Sequence, residues 1–347
     1  MRQPSTSPRR PAWPSGWSER APQKRDIDRI TAMINARAQS LTGADAVTRD
    51  DVEGWWSETW RTIETDFRIV LDGRGDVAGF ATAAGVGAPH ARIASSASVH
   101  PRYDNRADLW DWLLTWVVER ASQFVPLAAP ELRVAVDTQF AGEDKPRCAA
   151  VDRAGFELVR VTNRMRIDLE TPVPAAEWPS GISARAADIG RDLEAIVRLY
   201  LEAWRDHWGF VERPFDQVLA EWREDMDRLG DRMAPGLSFL ALEGSDVVGM
   251  CLGQDRVVDD RTRGYADGFG VRPAWRKRGI GLALLRHTFA EFQRRGYRSV
   301  ELDMDSRNLT GALRVYERAG MHVLRRALRY EKVLRPGVDL ATRELGS

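Results

Sequence analysis

The chain contains two copies of one sequence plan, and this repeat constrains its fold more than any other feature. Corresponding segments follow the same order at an interval of roughly 160 to 172 residues. A repeat at a nearly constant interval indicates that one structural unit occurs twice. The matched segments are DIDRITAMI with DIGRDLEAI, at 26–34 and 188–196; RIVLDGRGDVAGFATA with FLALEGSDVVGMCLG, at 68–83 and 239–253; VHPRYDNRADLWDWLL with VRPAWRKRGIGLALL, at 99–114 and 271–285; and AGFELVRVTNRMRIDL with AGMHVLRRALRYEKVL, at 154–169 and 319–334.

A proline-rich segment separates the two copies. Residues 171–180 read TPVPAAEWPS and contain three prolines, a composition typical of a linker. We therefore predict an N-terminal lobe at 23–170 and a C-terminal lobe at 181–335. Residues 1–22 carry positive charge but no apolar signal-peptide core, so we predict a disordered tail there. Residues 336–347 are predicted to form a second tail.

The order of predicted elements indicates the fold class. In the C-terminal copy, a helix with apolar spacing of three and four precedes a β-hairpin at 238–254 and a strand that ends at Val271. A helix from about 279 to 295, the strand RSVELDMD, a short helix closed by Gly320 and a final strand follow. The pattern favours a mixed α/β (α+β) fold, with a largely antiparallel sheet flanked by helices in each lobe.

Composition excludes several classes of function. The formal net charge is zero, which argues against broad electrostatic binding of nucleic acid or of an anionic membrane. No run of 18 apolar residues occurs, and we expect a cytoplasmic protein, monomeric or homodimeric. The two cysteines, Cys148 and Cys251, lie far apart without zinc-ligand spacing, so no metal site and no disulfide framework are expected.

The segment VRPAWRKRGIGLALL at 271–285 predicts an anion site. Basic residues precede a predicted helix start, where unpaired backbone N–H groups and the helix dipole favour negative charge. Gly279 and Gly281 let the backbone approach a bulky anion such as a pyrophosphate. A dinucleotide-binding alternative has Glu301 at the expected distance, but the third glycine position holds Leu284. A P-loop motif is absent.

A second motif makes the resemblance specific. The segment NLTGALRVYERAGM occupies 308–321, downstream of the RKRGIG sequence at 276–281. Together they resemble the signatures of the GNAT superfamily of acyl-CoA-dependent N-acetyltransferases. The resemblance covers about 180–335 well and 25–170 weakly, and the tandem arrangement resembles that of mycothiol-synthase-type acetyltransferases.

The resemblance implies acetyl-CoA as the co-substrate, without a metal. The pyrophosphate would lie on backbone amides of the RKRGIG segment, and the pantetheine arm would run along the strand that ends at Val271, where a backbone N–H would hold the thioester oxygen. Asn308 would meet the arm from the other side. The implied cofactor-binding residues are Phe269, Gly270, Val271, Arg276, Lys277, Arg278, Gly279, Ile280, Gly281 and Asn308.

Acetyl transfer to an amine also needs an acid and a base. The resemblance implies that Tyr316 protonates the leaving thiolate; the alternative is a core-edge tyrosine. For the base that deprotonates the amine we choose Asp267, on the strand that approaches Val271. Glu301 and Asp303 on the neighbouring strand are alternatives, acting through water. Asp267 could instead cap the chain or pair with Arg263.

We assign the acceptor pocket to His207 and Trp208, although His207 could equally fill an aromatic cluster. The predicted function is acetyl transfer from acetyl-CoA to a primary amine, in a small molecule or a peptide, by direct transfer in a ternary complex. The alternative is a non-catalytic acyl-CoA-binding sensor or scaffold, which would keep the RKRGIG segment and need neither Tyr316 nor Asp267.

The N-terminal copy lacks the residues that would perform this chemistry. The positions of Arg276, Gly279 and Gly281 correspond to Asp104, Ala107 and Leu109, so an acid and two side chains would oppose the anion. Val151 takes the position of Tyr316, and no asparagine matches Asn308. We therefore predict a catalytic C-terminal lobe and a degenerate N-terminal one.

Overall fold

A computed structural model describes residues 13–341 except 59, 88, 231–232, 234–235, 256–259 and 307–311. The described part forms two compact units, each built from two segments of the chain. Unit 1 consists of residues 1–161 and 326–340, and unit 2 consists of 162–325 and 341–347. No helix in the described residues is both long and apolar enough to cross a membrane.

Unit 1 contains one sheet with helices packed against it. Its sheet has the strand order β1 (Ser18–Arg20), β2 (Phe67–Leu71), β3 (Val77–Gly85), β4 (Arg92–Val99), β5 (Val134–Ala141) and β14 (His322–Arg335). β4 and β5 are parallel, and the other neighbours are antiparallel. The core includes three tryptophans of α4, at 110, 112 and 116. The elements are β1 Ser18–Arg20, α1 Ile27–Thr42, α2 Arg49–Gly54, α3 Ile63–Asp66, β2 Phe67–Leu71, β3 Val77–Gly85, β4 Arg92–Val99, α4 Ala107–Ser122, β5 Val134–Ala141, α5 Lys145–Arg153 and the first residues of β6 Glu157–Asp168.

Unit 2 begins within β6 and contains two sheets. One has the order β6-β13-β11-β10, and the other has the order β12-β9-β8-β7. The buried residues of α8 pack in one core with side chains from both sheets. The elements are β7 Ile182–Ala186, α6 Ile189–Trp204, α7 Phe215–Leu229, β8 Phe239–Glu243, β9 Asp246–Cys251, β10 Gly253–Gln254, β11 Arg263–Ala266, β12 Gly270–Val271, α8 Ile280–Arg294, β13 Ser299–Asp305, α9 Ala312–Arg318 and the first residues of β14 His322–Arg335.

The two units differ from the predicted lobes because each takes a strand from the other half of the sequence. In unit 1, residues 327–335 of β14 pair antiparallel with β5. In unit 2, residues 162–168 of β6 pair antiparallel with β13. The predicted boundaries at 170 and 335 assumed that each copy keeps its last strand. A buried strand needs a partner for its backbone groups, and that partner can come from any part of the chain.

Both predicted tails contain ordered residues. Ser18–Arg20 form β1, which pairs with β2, so the prediction of a disordered tail through residue 22 is wrong there. At the other end, Val338 exchanges backbone hydrogen bonds with Glu131 and Arg133. In the linker 171–180, the side chain of Gln293 binds the backbone of Thr171 and Val173. Short segments such as these gain order from the sheet edge or helix they cover.

Candidate active site

A gap opens in unit 2 where two neighbouring strands diverge. β11 pairs in parallel with β13 from Arg263 opposite Ser299 to Tyr265 opposite Glu301. The chain then leaves this sheet, and β12 pairs antiparallel with β9 in the other sheet. Because β13 continues to Asp305, strands that begin as neighbours end in different sheets. Asp267 and Phe269 lie in the segment that joins β11 to β12, where the strands diverge.

The predicted single strand ending at Val271 is therefore wrong, since it is interrupted at 267–269. Asp267 N–H donates to the carbonyl of Leu252 at 2.7 Å, and Leu252 N–H donates to Gly268 O at 3.3 Å. A Cβ at Gly268 would lie 2.9 Å from Leu252 Cδ1, so a larger residue there would make the Leu252 side chain shift. The alternation of side chains does not carry across this bend, and sequence alone could not orient Asp267 relative to Phe269.

The register of β12 directs one backbone N–H into the gap. Arg272 N–H donates to Val248 O at 2.9 Å, so these two residues form a hydrogen-bonded pair. Val271 lies opposite Gly249, one position earlier. Hydrogen-bonded and non-hydrogen-bonded pairs alternate along antiparallel strands, so the N–H and C=O of Val271 point away from β9. This is the N–H that the sequence predicts as the holder of the thioester oxygen.

Unpaired amides line the loop that enters α8. The backbone N–H groups from Lys277 to Leu282 donate to no backbone carbonyl in the described part of the chain, and the first that does is Ala283, to Gly279 O at 3.1 Å. Lys277 and Gly279 adopt positive φ angles of 62° and 90°. This left-handed backbone suits glycine and is uncommon for lysine. The arrangement can hold an anion at the helix N-terminus.

Two of the three basic side chains in this loop bind carboxylates. Arg276 donates to Asp206 Oδ2 at 2.6 Å and to the carbonyls of Ala203 and Val271 at 2.8 and 3.2 Å. Arg278 donates to Glu243 at 2.8 Å. Asp206 and Glu243 therefore offset the charge of these two side chains, and the role of both arginines in cofactor binding stays a prediction. Arg276 anchors the loop to β12 and to the end of α6. Its partner Asp206 directly precedes His207 in the sequence, which is the one feature from which this contact could have been predicted.

Two glycines permit close packing around the gap. A Cβ at Gly281 would lie 3.2 Å from Phe269 Cζ, and one at Gly270 would lie 2.5 Å from Trp204 Cζ3. Ile280, the first residue of α8, is buried in the core of unit 2. These contacts bring the start of α8, the bend after β11 and the end of α6 together. Asn308 lies outside the described residues.

Tyr316 lies on α9 with its ring against Phe269, at a centroid distance of 5.6 Å. The residue is buried among the core side chains of unit 2, as the core-edge alternative expects. Burial raises the pKa of its hydroxyl above the ordinary value. The phenol therefore stays protonated at neutral pH and can donate a proton or a hydrogen bond.

Asp267 is exposed to solvent yet has a raised carboxyl pKa. The first cause is loss of hydration in the surrounding recess, and the second is the negative charge of Asp303; a hydrogen bond from Gln254 Nε2, at 3.2 Å, acts in the opposite direction. Arg263 binds Glu301 instead of Asp267. Within the described ranges, no cation is bound to Asp267. A reachable carboxylate with a raised pKa is suited to accept a proton.

The alternative bases are committed to arginines. Glu301 is fully buried and accepts hydrogen bonds from Arg164 and Arg263. Asp303 accepts two hydrogen bonds from Arg164, one of them at 2.7 Å, and another from Tyr265 Oη at 3.1 Å. Sequence reasoning missed Arg164 because it precedes the linker. Tyr265 could have been predicted as a neighbour of the site, because it lies two residues before Asp267 in the sequence.

His207 lies in an aromatic cluster at the end of α6. Its ring stacks on Trp204 at a centroid distance of 5.5 Å, and its Nδ1 lies 3.3 Å from Asp206 Oδ1. Burial lowers the pKa of the imidazole. These contacts favour the aromatic-cluster alternative over the predicted substrate role. Trp208 follows it and is half-buried. Tyr200, in the same cluster, interacts electrostatically with Asp267 and was not predicted.

The corresponding gap in unit 1 is filled by the protein itself. β4 and β5 are parallel from Arg92 opposite Ala135 to Ser95 opposite Thr138. Beyond this point Arg147 of α5 lies buried between the strands and donates to Thr138 Oγ1 at 2.9 Å and to Ser96 Oγ at 3.3 Å. The guanidinium and its two hydroxyl partners bridge the strands where unit 2 leaves space.

The loop equivalent to the RKRGIG segment is also occupied. Asp104 is bound by Arg37, which bridges it to Asp144 at the start of α5. Trp17 packs against Tyr103 at a centroid distance of 5.0 Å. Asp104 thus belongs to an internal ion pair, and the Trp17 ring packs on Tyr103 next to it.

The chain matches known acetyltransferases over most of its length. Residues 193–321 match the family model described as acetyltransferase (GNAT) family. A mycothiol acetyltransferase from Thermobispora bispora is 31% identical over 266 residues, which cover 73% of this chain and 79% of that protein. One from Saccharopolyspora erythraea is 25% identical over 252 residues, covering 72% and 80%.

Solved structures extend the similarity to the whole fold. A GCN5-related N-acetyltransferase from Sphaerobacter thermophilus is 31% identical, with a TM-score of 0.79 over 94% of this chain and 98% of that one. A tandem GNAT protein from the clavulanic acid biosynthesis pathway shares the fold at 14% identity, with a TM-score of 0.69 over 93% and 100%. The chain belongs to the GNAT family of acetyltransferases.

Proposed function

We propose that unit 2 transfers an acetyl group from acetyl-CoA directly to a primary amine. The observation that carries this proposal is the place of Asp267, an exposed carboxylate with a raised pKa, at the point where the chain leaves the side of β13 and turns toward Val271. Unit 1 takes no part in the chemistry, because Arg147 bridges its corresponding gap.

Backbone groups of unit 2 would bind acetyl-CoA. The amides from Lys277 to Leu282 would hold the pyrophosphate, with the helix dipole of α8 adding attraction. The pantetheine arm would lie along β12, where the backbone N–H and C=O of Val271 point away from β9. Phe269 would border the arm, and Asn308 would approach it from the other side.

The reaction follows from the positions of three groups. Asp267 accepts a proton from the ammonium form of the acceptor, and the free amine attacks the thioester carbonyl. The N–H of Val271 holds the oxyanion that forms. The C–S bond breaks as the C–N bond forms, and Tyr316 donates a proton to the leaving thiolate. The products are the N-acetylated amine and CoA.

A covalent cysteine intermediate is not part of this proposal. Cys251 is fully buried, and burial raises the pKa of its thiol to about 12. A thiol in this environment stays protonated at neutral pH and is a poor nucleophile. Direct transfer needs both substrates bound at once, with the amine beside Asp267 and the thioester beside Val271.

The acceptor is a small-molecule or peptide amine that enters as a cation. Asp267 and Asp303 place negative charge at the gap, which favours an ammonium group. The similarity to mycothiol acetyltransferases makes thiol-containing amines the first class to test. The aromatic residues His207 and Trp208 lie at the end of α6 and are candidates for the outer wall of the pocket.

The test is release of CoA from acetyl-CoA with a panel of thiol-containing amines, other small amines and peptides. We expect amine-dependent release that Asp267→Asn lowers and that Asp246→Asn, at an exposed aspartate in the β8–β9 hairpin, leaves unchanged. Initial-rate lines that intersect when both substrates are varied support a ternary complex. Parallel lines would contradict direct transfer. Binding of acetyl-CoA without amine-dependent release of CoA would favour the alternative, a non-catalytic sensor or scaffold.

A further inference from the structure

The residue that controls the charge next to Asp267 comes from the first half of the sequence. Arg164 lies on β6 directly opposite Asp303 of β13. Its guanidinium binds both oxygens of Asp303, and another of its nitrogens lies 3.2 Å from Glu301. It also lies over the ring of Tyr265, 5.1 Å from the centroid. One side chain thus contacts β13 at two positions and β11 at a third.

Asp303 links this arginine to Asp267. The Tyr265 hydroxyl donates to Asp303 at 3.1 Å, which connects β11 to β13 just before the strands separate. Asp267 follows Tyr265 by two residues and feels the charge of Asp303. Because Arg164 is bound to that carboxylate, its positive charge offsets part of the negative charge that Asp267 would otherwise meet.

Other groups around Asp267 come from every element packed near it. Those that interact with it are Asp303 of β13, Asp225 of α7, Gln254 of β10, Tyr200 of α6, Tyr265 of β11 and Cys251 of β9. A second set of charged and titratable groups surrounds Asp303 itself: Arg164, Arg263, Arg325, Glu301 and Tyr265. In the described part of the chain, the first set contains no arginine or lysine, and Arg164 is linked to Asp267 by way of Asp303.

We infer that Arg164 is a positioning residue of the acetyl-transfer site: it holds Asp303 and Tyr265 at the point where the strands diverge and limits the negative charge that reaches Asp267. This inference rests on the proposed role of Asp267 as the base. The strand 162–168 is therefore a working part of the site, although it precedes the linker and lies outside the predicted catalytic lobe.

Loss of Arg164 and loss of Asp303 should change the pKa of Asp267 in opposite directions. Loss of Arg164 leaves Asp303 unpaired and negative, which raises the pKa of Asp267 further. Replacement of Asp303 by asparagine removes the negative charge and lowers it.

The experiment is a carboxyl-carbon NMR titration of the full-length protein, with the Asp267 signal assigned from its loss in Asp267→Asn. We expect Arg164→Gln to raise the Asp267 pKa by about half a unit to one unit, an order-of-magnitude expectation for a partly screened neighbouring charge. Arg164→Lys should give a smaller rise, and Asp303→Asn should lower the pKa. Arg166→Gln is the matched control, because Arg166 is on the same strand and pairs with Asp168.

An unchanged Asp267 pKa in Arg164→Gln, or a change equal to that in Arg166→Gln, would overturn the inference. If Arg164→Gln does not fold, Arg164→Lys and Asp303→Asn supply the same test with opposite signs. The titration needs no acceptor, so it is independent of the proposed reaction. A shift in the Asp267 pKa without any effect of Asp267→Asn on acetyl transfer would retain the electrostatic link and reject the catalytic role of Asp267.

Discussion

A Cβ placed on Gly281 would lie 3.2 Å from the ring of Phe269, so the first turn of α8 and the bend after β11 touch where the cofactor is proposed to enter. We expect Gly281→Asp to weaken acetyl-CoA binding by about 100-fold or more, since it adds a negative charge among amides that favour an anion. Titration calorimetry measures the loss. Gly54→Asp in α2, where an added Cβ meets nothing within 4 Å, is the control and should bind normally.

Tyr316→Phe should lower kcat by about 100-fold to 10,000-fold, the usual range for loss of a general acid. Its affinity for acetyl-CoA should stay near the wild-type value, because the ring still packs against Phe269. Steady-state kinetics and titration calorimetry separate the two effects. Tyr103→Phe, which loses a hydroxyl bonded to Asp72 in unit 1, serves as the control. A wild-type kcat in Tyr316→Phe would assign the tyrosine to the core alone.

The pH dependence of kcat/KM should report Asp267. The base must be ionised, and its pKa is raised, so activity should fall as the pH drops through a value above the ordinary aspartate range. The acidic limb should vanish in Asp267→Asn, along with most of the rate. A limb at the ordinary aspartate pKa would contradict a desolvated base.

The raised pKa of Asp267 also predicts how thermal stability depends on pH. Because the folded pKa of Asp267 exceeds its unfolded value, the ionised carboxylate destabilises the fold above the folded pKa and has no such effect below the unfolded pKa. Asp267→Asn should therefore raise Tm at pH 7.5, and the difference should shrink as the pH falls toward about 4. Thermal unfolding at both pH values checks this. An unchanged or lower Tm at pH 7.5 would count against the raised pKa.

Gly270→Ala should destabilise unit 2 by about 1–3 kcal/mol, the usual cost of overpacking. Its Cβ would lie 2.5 Å from Trp204 Cζ3 and 3.3 Å from the Cβ of Ala203, so either α6 or β12 must move. Chemical denaturation measures the change, with Gly54→Ala as the control. Trp204→Leu should recover part of the loss in the double variant. Additive effects of the two substitutions would show that this contact is not the cause.

The sequence predicted the order of elements in each unit but not the strand exchange. The repeat and the helix and strand periodicities required only local patterns, which is why α8, β13 and α9 lie close to their predicted positions. The partner of a strand is set by three-dimensional packing. Nothing in the pattern of β6 indicates that residues 162–168 pair with β13.

The site was predicted in the same uneven way. The glycines at 279 and 281 could be predicted from spacing, because they depend on nearby backbone, and the choice of Asp267 as the base stays a prediction. The ion pair of Arg276 with Asp206 joins residues 70 positions apart, and the role of Arg164 depends on a strand from the other half of the chain. Long-range side-chain pairs of this kind leave no local signal.

The most direct test of the account is titration calorimetry of the full-length protein with acetyl-CoA, read for stoichiometry. We predict one site per chain, lost in Gly281→Asp, because the loop that enters α8 of unit 2 presents amides suited to an anion and Arg147 bridges the corresponding strands of unit 1. Two sites per chain, or one site that survives in Gly281→Asp, would contradict the assignment of acetyl-CoA binding to unit 2 alone.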